Sequence, residues 1–246
     1  MLYYSLEGGF NETVVFLHGF LENSTMWDFI HPTNLHARFL KIDLPGHGKS
    51  KWIKSSPTSL NSIANQVLAI IDKEKIQKIH LVGHSMGGYI GLVIQQLRPS
   101  LIDKFVFLNS HFWEDDDLKK RDRLRLAKII HQVKPIFLSE AIPNLFYEPQ
   151  KYINHIEKIK KEANEMSSEA ITSISIAMSL RSDFSVRIKE HSSAYYFILG
   201  ENDTLIDPKR VKKYVNDRAV FILPNSGHMS HIEAPENVKK ILQDII

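Results

Sequence analysis

The sequence predicts an α/β protein: a mostly parallel sheet with helices on both faces. Three observations carry this. Short apolar runs with a β-branched bias alternate with stretches of helical periodicity. One run, Ile79-His80-Leu81-Val82, leads straight into Gly83-His84-Ser85-Met86-Gly87-Gly88 and then into a dense apolar helix. Strand-like runs also return near the C-terminus, after a long stretch without any.

In chain order, Thr13–Leu17 reads as a buried strand and Phe39–Asp43 as a second, ended by Leu44-Pro45-Gly46-His47-Gly48-Lys49-Ser50. Ser59 is a candidate N-cap for a helix through Ile71, with Leu60, Ile63, Ala64, Val67, Leu68 and Ile71 on one face. The Ile79 strand, the serine turn and a helix over Gly88–Leu97 follow. Phe105–Asn109 is the next strand. From about Phe112 to Glu190 only helical periodicity and charge are legible. Lys119–Lys128, Ile153–Glu165 and Ser168–Leu180 read as helices, with Pro135 and Pro143 as breaks. Strands resume at Ala194–Leu199 and Ala219–Leu223, flanking a short helix from Pro208 to Val215. Glu236–Ile246 closes the chain as an amphipathic helix. The pattern implies a core of residues 1–110 and 191–246, with 111–190 inserted as a helical cap over the strands' C-terminal ends, where open α/β sheets bind ligands.

Composition narrows the function. A chain of 246 residues with 43% hydrophobic and 24% charged residues suits a soluble globular protein. The net charge of +3 is scattered, with no aromatic-interleaved basic stripe, which argues against nucleic acid. The absence of cysteine excludes disulfides, thiolate metal sites and a cysteine nucleophile, and suits a reducing compartment. With no signal-like N-terminus and no membrane-length apolar run, the expectation is a cytoplasmic protein acting on a small molecule.

Gly83-x-Ser85-x-Gly87 between a strand and a helix is the pattern of a serine on a sharp, strained turn, its hydroxyl exposed. A serine needs a base, and the base an orienting carboxylate. In chain order Ser, Asp, His, the sequence offers Asp203 in the loop after one late strand and His228 in the loop after the next. Asp207 competes with Asp203 but directly precedes Pro208, as an N-cap does. His231 competes with His228, and a metal pair of the two lacks a third ligand. The Met86 and Phe20 amides are the candidate oxyanion donors. His18 and His47 read as braces of their own loops. Gly48-Lys49-Ser50 lacks the earlier glycine of a phosphate loop, and no dinucleotide fingerprint occurs. The Arg121, Arg123, Arg125 and Lys128 cluster reads as a solvated helix face, with anionic-substrate binding as the alternative.

Together, Leu17-His18-Gly19-Phe20, Asp43-Leu44-Pro45-Gly46-His47-Gly48-Lys49-Ser50, Gly83-His84-Ser85-Met86-Gly87-Gly88, Gly200-x-x-Asp203 and Gly227-His228 resemble the α/β-hydrolases over nearly the whole chain. The resemblance implies a Ser85–His228–Asp203 triad, a Phe20/Met86 oxyanion hole and a helical cap near Phe112–Arg187. Serine at the elbow argues against the dehalogenase and epoxide-hydrolase branches, which use aspartate there. What remains is a cofactor-free, metal-free esterase of small carboxylic esters, with C–C bond hydrolysis, acyl transfer or lyase chemistry as alternatives. A non-catalytic ligand-binding relative would usually have lost a triad member. Partial similarity extends to the menaquinone-pathway lyase that makes a cyclohexadiene carboxylate. That enzyme usually carries Tyr before the serine and Arg after the paired glycines, where this chain has His84 and Tyr89. Leu21, His84, Trp113, Phe137, Phe146 and Tyr147 are the expected substrate-pocket residues.

Overall fold

All six predicted strands form, in a computed structural model that describes residues 1–9, 12–29, 37–53 and 58–246. They are β2 (Thr13–Leu17), β3 (Arg38–Ile42), β4 (Ile79–His84), β5 (Ile102–Leu108), β6 (Tyr195–Gly200) and β7 (Val220–Leu223). A seventh, β1 (Tyr4–Glu7), has no apolar run to announce it, because each of its residues is only half-buried. The sheet order is β1-β3-β2-β4-β5-β6-β7, with β1 antiparallel to β3 and every other pairing parallel.

The inner strands are apolar at successive positions because both faces are covered. Val15 and Leu17 join Leu81, Phe105 and Phe107 in one core, with α1 (Leu60–Lys73) and α2 (Met86–Leu97). Val14 and Phe16 face the other way, toward Val82, Val106 and Ile198, where Val238, Leu242 and Ile245 of α9 (Pro235–Ile245) cover the sheet. Ser59 caps α1 as predicted, its hydroxyl accepting from the Ser62 amide at 3.1 Å while Ser62 Oγ accepts from the Ser59 amide. The short helices α7 (Pro208–Val211) and α8 (Ser230–Glu233) lie before and after β7.

Between β5 and β6 the chain is helical: α3 (Asp117–Ala141), α4 (Ile153–Glu165), α5 (Ser168–Ser179) and α6 (Ser185–Glu190). One expectation fails here. Pro135 does not break α3, which runs through it for 25 residues. Proline removes the hydrogen bond to the carbonyl of residue 131, and both His131 and Pro135 lie on the exposed face, where a carbonyl without its helical partner costs least. Pro143 does mark an end, opening a 3-10 turn just after α3. Among the described residues no helix is long and apolar enough to cross a membrane.

Candidate active site

Loops leaving the C-terminal ends of β2, β4, β6 and β7 carry the candidate residues to one rim of the sheet. Ser85 stands between β4 and α2 with φ 48° and ψ −113°, a left-handed backbone that side chains other than glycine's rarely adopt. The turn is tight enough to need Gly83, since a Cβ there would lie 2.6 Å from the Gly87 carbonyl carbon and the Gly88 nitrogen. The Ser85 amide donates to the Leu108 carbonyl at 3.1 Å, and the Ser85 carbonyl accepts from Gly88 at 3.0 Å and from the Ser110 hydroxyl at 2.7 Å. Strain is thus held in place from both sides. The Phe20 and Met86 amides make no comparable closing bond among the described residues.

A hydrogen-bonded line runs from the serine inward. His228 Nε2 lies 3.0 Å from Ser85 Oγ, and His228 Nδ1 lies 2.8 Å from Asp203 Oδ2. Asp203 is further fixed by the Leu205 and Ile206 amides on Oδ1 and by the Asn109 side-chain amide on Oδ2. Burial alone pushes its carboxyl up, but His228 and these donors reverse the effect and hold it below the usual range. Asp207, the competitor, caps α7 by accepting from the Lys209 amide. Asn109 was legible only as the end of a strand. It sits just beyond β5 with φ 42° and also donates to the Gly227 carbonyl, joining the Asp203 and His228 loops.

Four further histidines, His18, His47, His84 and His231, are buried around the rim. His18 accepts from the Leu44 amide and His47 from the Leu21 amide, as expected of loop braces. His84 has Nδ1 2.6 Å from Glu22 Oε2 and Nε2 3.0 Å from the His228 carbonyl. Burial pushes the His84 imidazole down, and the Glu22 carboxylate beside it more than compensates, leaving it raised. Glu22 itself is pushed up by burial but brought down to about 2, chiefly by His84. His231, the rival base, is buried 3.4 Å from Glu22 Oε1, away from the serine line. Among the described residues Glu22, His84 and His231 form the cluster with metal-ligand types, the first two 2.6 Å apart.

A pH dependence of folding follows. Burial holds His47 and His231 down to about 3. Both remain neutral in the fold at pH values where the unfolded chain, with ordinary imidazoles near 6.5, binds protons. The stability these two histidines contribute is therefore full above about pH 6.5 and declines as pH falls toward 3, each taking up a proton on unfolding in that window. Urea melts between pH 7 and 4 check this: the midpoint should drop steadily across that range.

A cavity of about 400 Å³ opens onto Ser85 and His228. Of the six residues expected in the substrate pocket, Leu21, His84 and Phe137 line it, and Phe20, the candidate oxyanion donor, lies beside them. Three expected residues do not. Trp113 stacks at 4.2 Å on His111, with Arg210 over its ring; Phe146 is buried against Tyr152; and Tyr147 is 44% exposed. The lining they were expected to give comes from Leu126, Ile142, Leu145 and Met178. The cavity also has a polar side at Tyr89, His111, Asp115 and Arg123. Arg123 turns inward from the α3 cluster to pair with Asp115 at 2.6 Å, whereas Arg121 and Arg125 are exposed. Arg181 lies 4.3 Å over the Tyr89 ring, buried and paired with the same Asp115.

A doubly covered parallel sheet with a serine elbow, and with Asp and His on the two following strand ends, defines the α/β-hydrolase class of fold. The chain belongs to the alpha/beta hydrolase family, whose model matches residues 14–241. It is 27% identical over 247 residues to the dihydrolipoyllysine-residue acetyltransferase component of the acetoin cleaving system of Pseudomonas putida, covering 97% of this chain and 64% of that protein. It is 24% identical over 242 residues to the 2-succinyl-6-hydroxy-2,4-cyclohexadiene-1-carboxylate synthase of Enterobacter sp., covering 95% of this chain and 91% of that protein. Among solved structures, a thermophilic esterase from Thermogutta terrifontis superposes with a TM-score of 0.87 at 23% identity, covering 99% of this chain and 92% of the other.

Proposed function

We propose that the protein is a serine hydrolase that cleaves small carboxylic esters through an acyl-enzyme. The observation that carries this reading is the unbroken line Ser85 Oγ–His228–Asp203, at 3.0 and 2.8 Å. In this reading Ser85 Oγ attacks the acyl carbonyl while His228 Nε2 takes its proton. The Phe20 and Met86 amides hold the oxyanion, and the alcohol leaves with the proton returned by His228. Water deprotonated by His228 then attacks the acyl carbon, releasing the acid and restoring Ser85. Asp203 keeps the Nδ1–H tautomer and stabilises the imidazolium. The helices of residues 111–190 act as a cap whose apolar lining, Leu126, Phe137, Ile142 and Leu145, receives a hydrophobic acyl or aryl group.

A second reading, cofactor-free lyase chemistry, draws on the synthase relative from Enterobacter. Against it, Tyr89 replaces the arginine expected after the paired glycines, and Arg181 beside it is held by Asp115 and by the Trp113 and Met178 carbonyls. Hydrolysis of p-nitrophenyl esters of rising acyl length, with fluorophosphonate labelling, separates the two. The hydrolase reading expects turnover of the acetate or butyrate ester and labelling; an enzyme inert to both is not an esterase.

A further inference from the structure

We propose that Glu22 is a positioning residue that ties the loop presenting the Phe20 amide to the loop carrying His228, acting through His84. This rests on the roles given above to Phe20, Ser85 and His228. One carboxylate meets three segments far apart in the chain. Its Oε2 accepts from the Gly19 amide at 3.0 Å and faces His84 Nδ1 at 2.6 Å, and its Oε1 faces His231 Nε2 at 3.4 Å. The other side of the His84 ring reaches the His228 carbonyl at 3.0 Å. A carbonyl oxygen only accepts, so His84 Nε2 carries a hydrogen. An ionised carboxylate only accepts too, so Nδ1 carries the second. His84 is thus an imidazolium that donates in both directions, from Glu22 to the backbone of His228.

The Gly19 end bears on the oxyanion. The Gly19–Phe20 peptide is held on one side by the Gly19 carbonyl, which accepts from His18 Nδ1 at 2.7 Å. The Gly19 amide, fixed by Glu22, sets the direction from which that peptide departs. In a trans peptide the Phe20 N–H points opposite the held carbonyl. Moving Glu22 therefore tilts a candidate oxyanion donor and loosens the base on the opposite loop together. Glu22, His84 and His231 are 5%, 1% and 4% exposed, so no water replaces a lost partner cheaply. Nothing in the chemistry of Ser85 itself needs a carboxylate at position 22; Asp203 already serves His228. No local pattern marks this role, because Leu21-Glu22-Asn23-Ser24 reads as an ordinary polar loop.

The test compares wild type, Glu22→Gln, His84→Gln and the double variant. Two readouts are taken: kcat and KM on p-nitrophenyl butyrate, and the downfield proton resonance of the His228 Nδ1–H that faces Asp203. Glu22→Gln keeps the shape and removes the charge. Its kcat should fall about 10- to 100-fold with KM within about twofold, as a displaced but intact site does. The His228 resonance should move, and adding His84→Gln should cost little more, since both substitutions break one relay. The proposal is overturned by a Glu22→Gln enzyme whose kcat stays within about twofold of wild type, whose loss falls on KM, or whose His228 resonance is unmoved. If Glu22→Gln does not fold, His84→Gln alone is held to the same outcomes. If wild type neither hydrolyses esters nor labels with fluorophosphonate, the acyl-enzyme reading fails, and the resonance still decides the role of Glu22.

Discussion

Ser85→Ala is expected to lower kcat on p-nitrophenyl butyrate about a million-fold while leaving substrate binding and the melting temperature close to those of wild type. The size follows from where the oxygen sits. Ser85 Oγ is the atom within 3.0 Å of His228 Nε2, and the strained elbow exists to present it. Alanine has the same Cβ and accepts the same backbone, so φ 48° costs it no more than it costs serine. What disappears is the nucleophile. The cavity lined by Phe137, Leu126 and Met178 is untouched, so an inert ester analogue should bind Ser85→Ala as it binds wild type. A variant retaining a tenth of wild-type kcat would show that the covalent role belongs to another group. Steady-state rates, with a fluorescence melt as control for folding, check the prediction.

Asp203→Asn should reduce kcat about ten-thousand-fold, with KM within about twofold. The surroundings dictate which way the new amide turns. The Leu205 and Ile206 amides both donate to the Oδ1 position, so the asparagine carbonyl must sit there. The NH2 then takes the place of Oδ2, facing His228 Nδ1 at 2.8 Å and the Asn109 amide at 3.1 Å. A donor against Nδ1 forces the other tautomer, with the hydrogen on Nε2 pointing at Ser85. No base then faces the hydroxyl. Asn109 is left without its acceptor at Asp203, which adds a loss of stability of about 1 kcal/mol. If Asp207 were the orienting carboxylate, Asp203→Asn would be nearly silent and Asp207→Asn severe. Parallel kinetics on the two variants separate these outcomes.

Much of this was legible in the sequence, for a physical reason. Strands such as β2 and β4 are buried on both faces and so write themselves as unbroken apolar runs, and the loops after them carry the chemistry by topology alone. Asp203 and His228 are therefore placed on one rim by the strand pattern alone. β1 could not be read, because a half-buried edge strand has no such signature. Nor could the wall of the cavity. Whether Phe137 or Phe146 faces the serine depends on how α3 and its following turns rotate over the sheet, and Pro135, read as a break, is simply an exposed position in that helix. Arg123 differs from Arg121 and Arg125 only in helical phase, which turns it toward Asp115. Glu22 was silent because its partners, Gly19, His84 and the His228 carbonyl, meet it through tertiary contacts.

The most direct measurement is rapid acid quench of the enzyme turning over p-nitrophenyl butyrate, followed by peptide mass mapping. A butyryl adduct on the peptide carrying Ser85, formed within the first turnover and lost as substrate runs out, is the predicted result. Continued release of p-nitrophenol with Ser85 unmodified throughout, or an adduct on a different side chain, would contradict it.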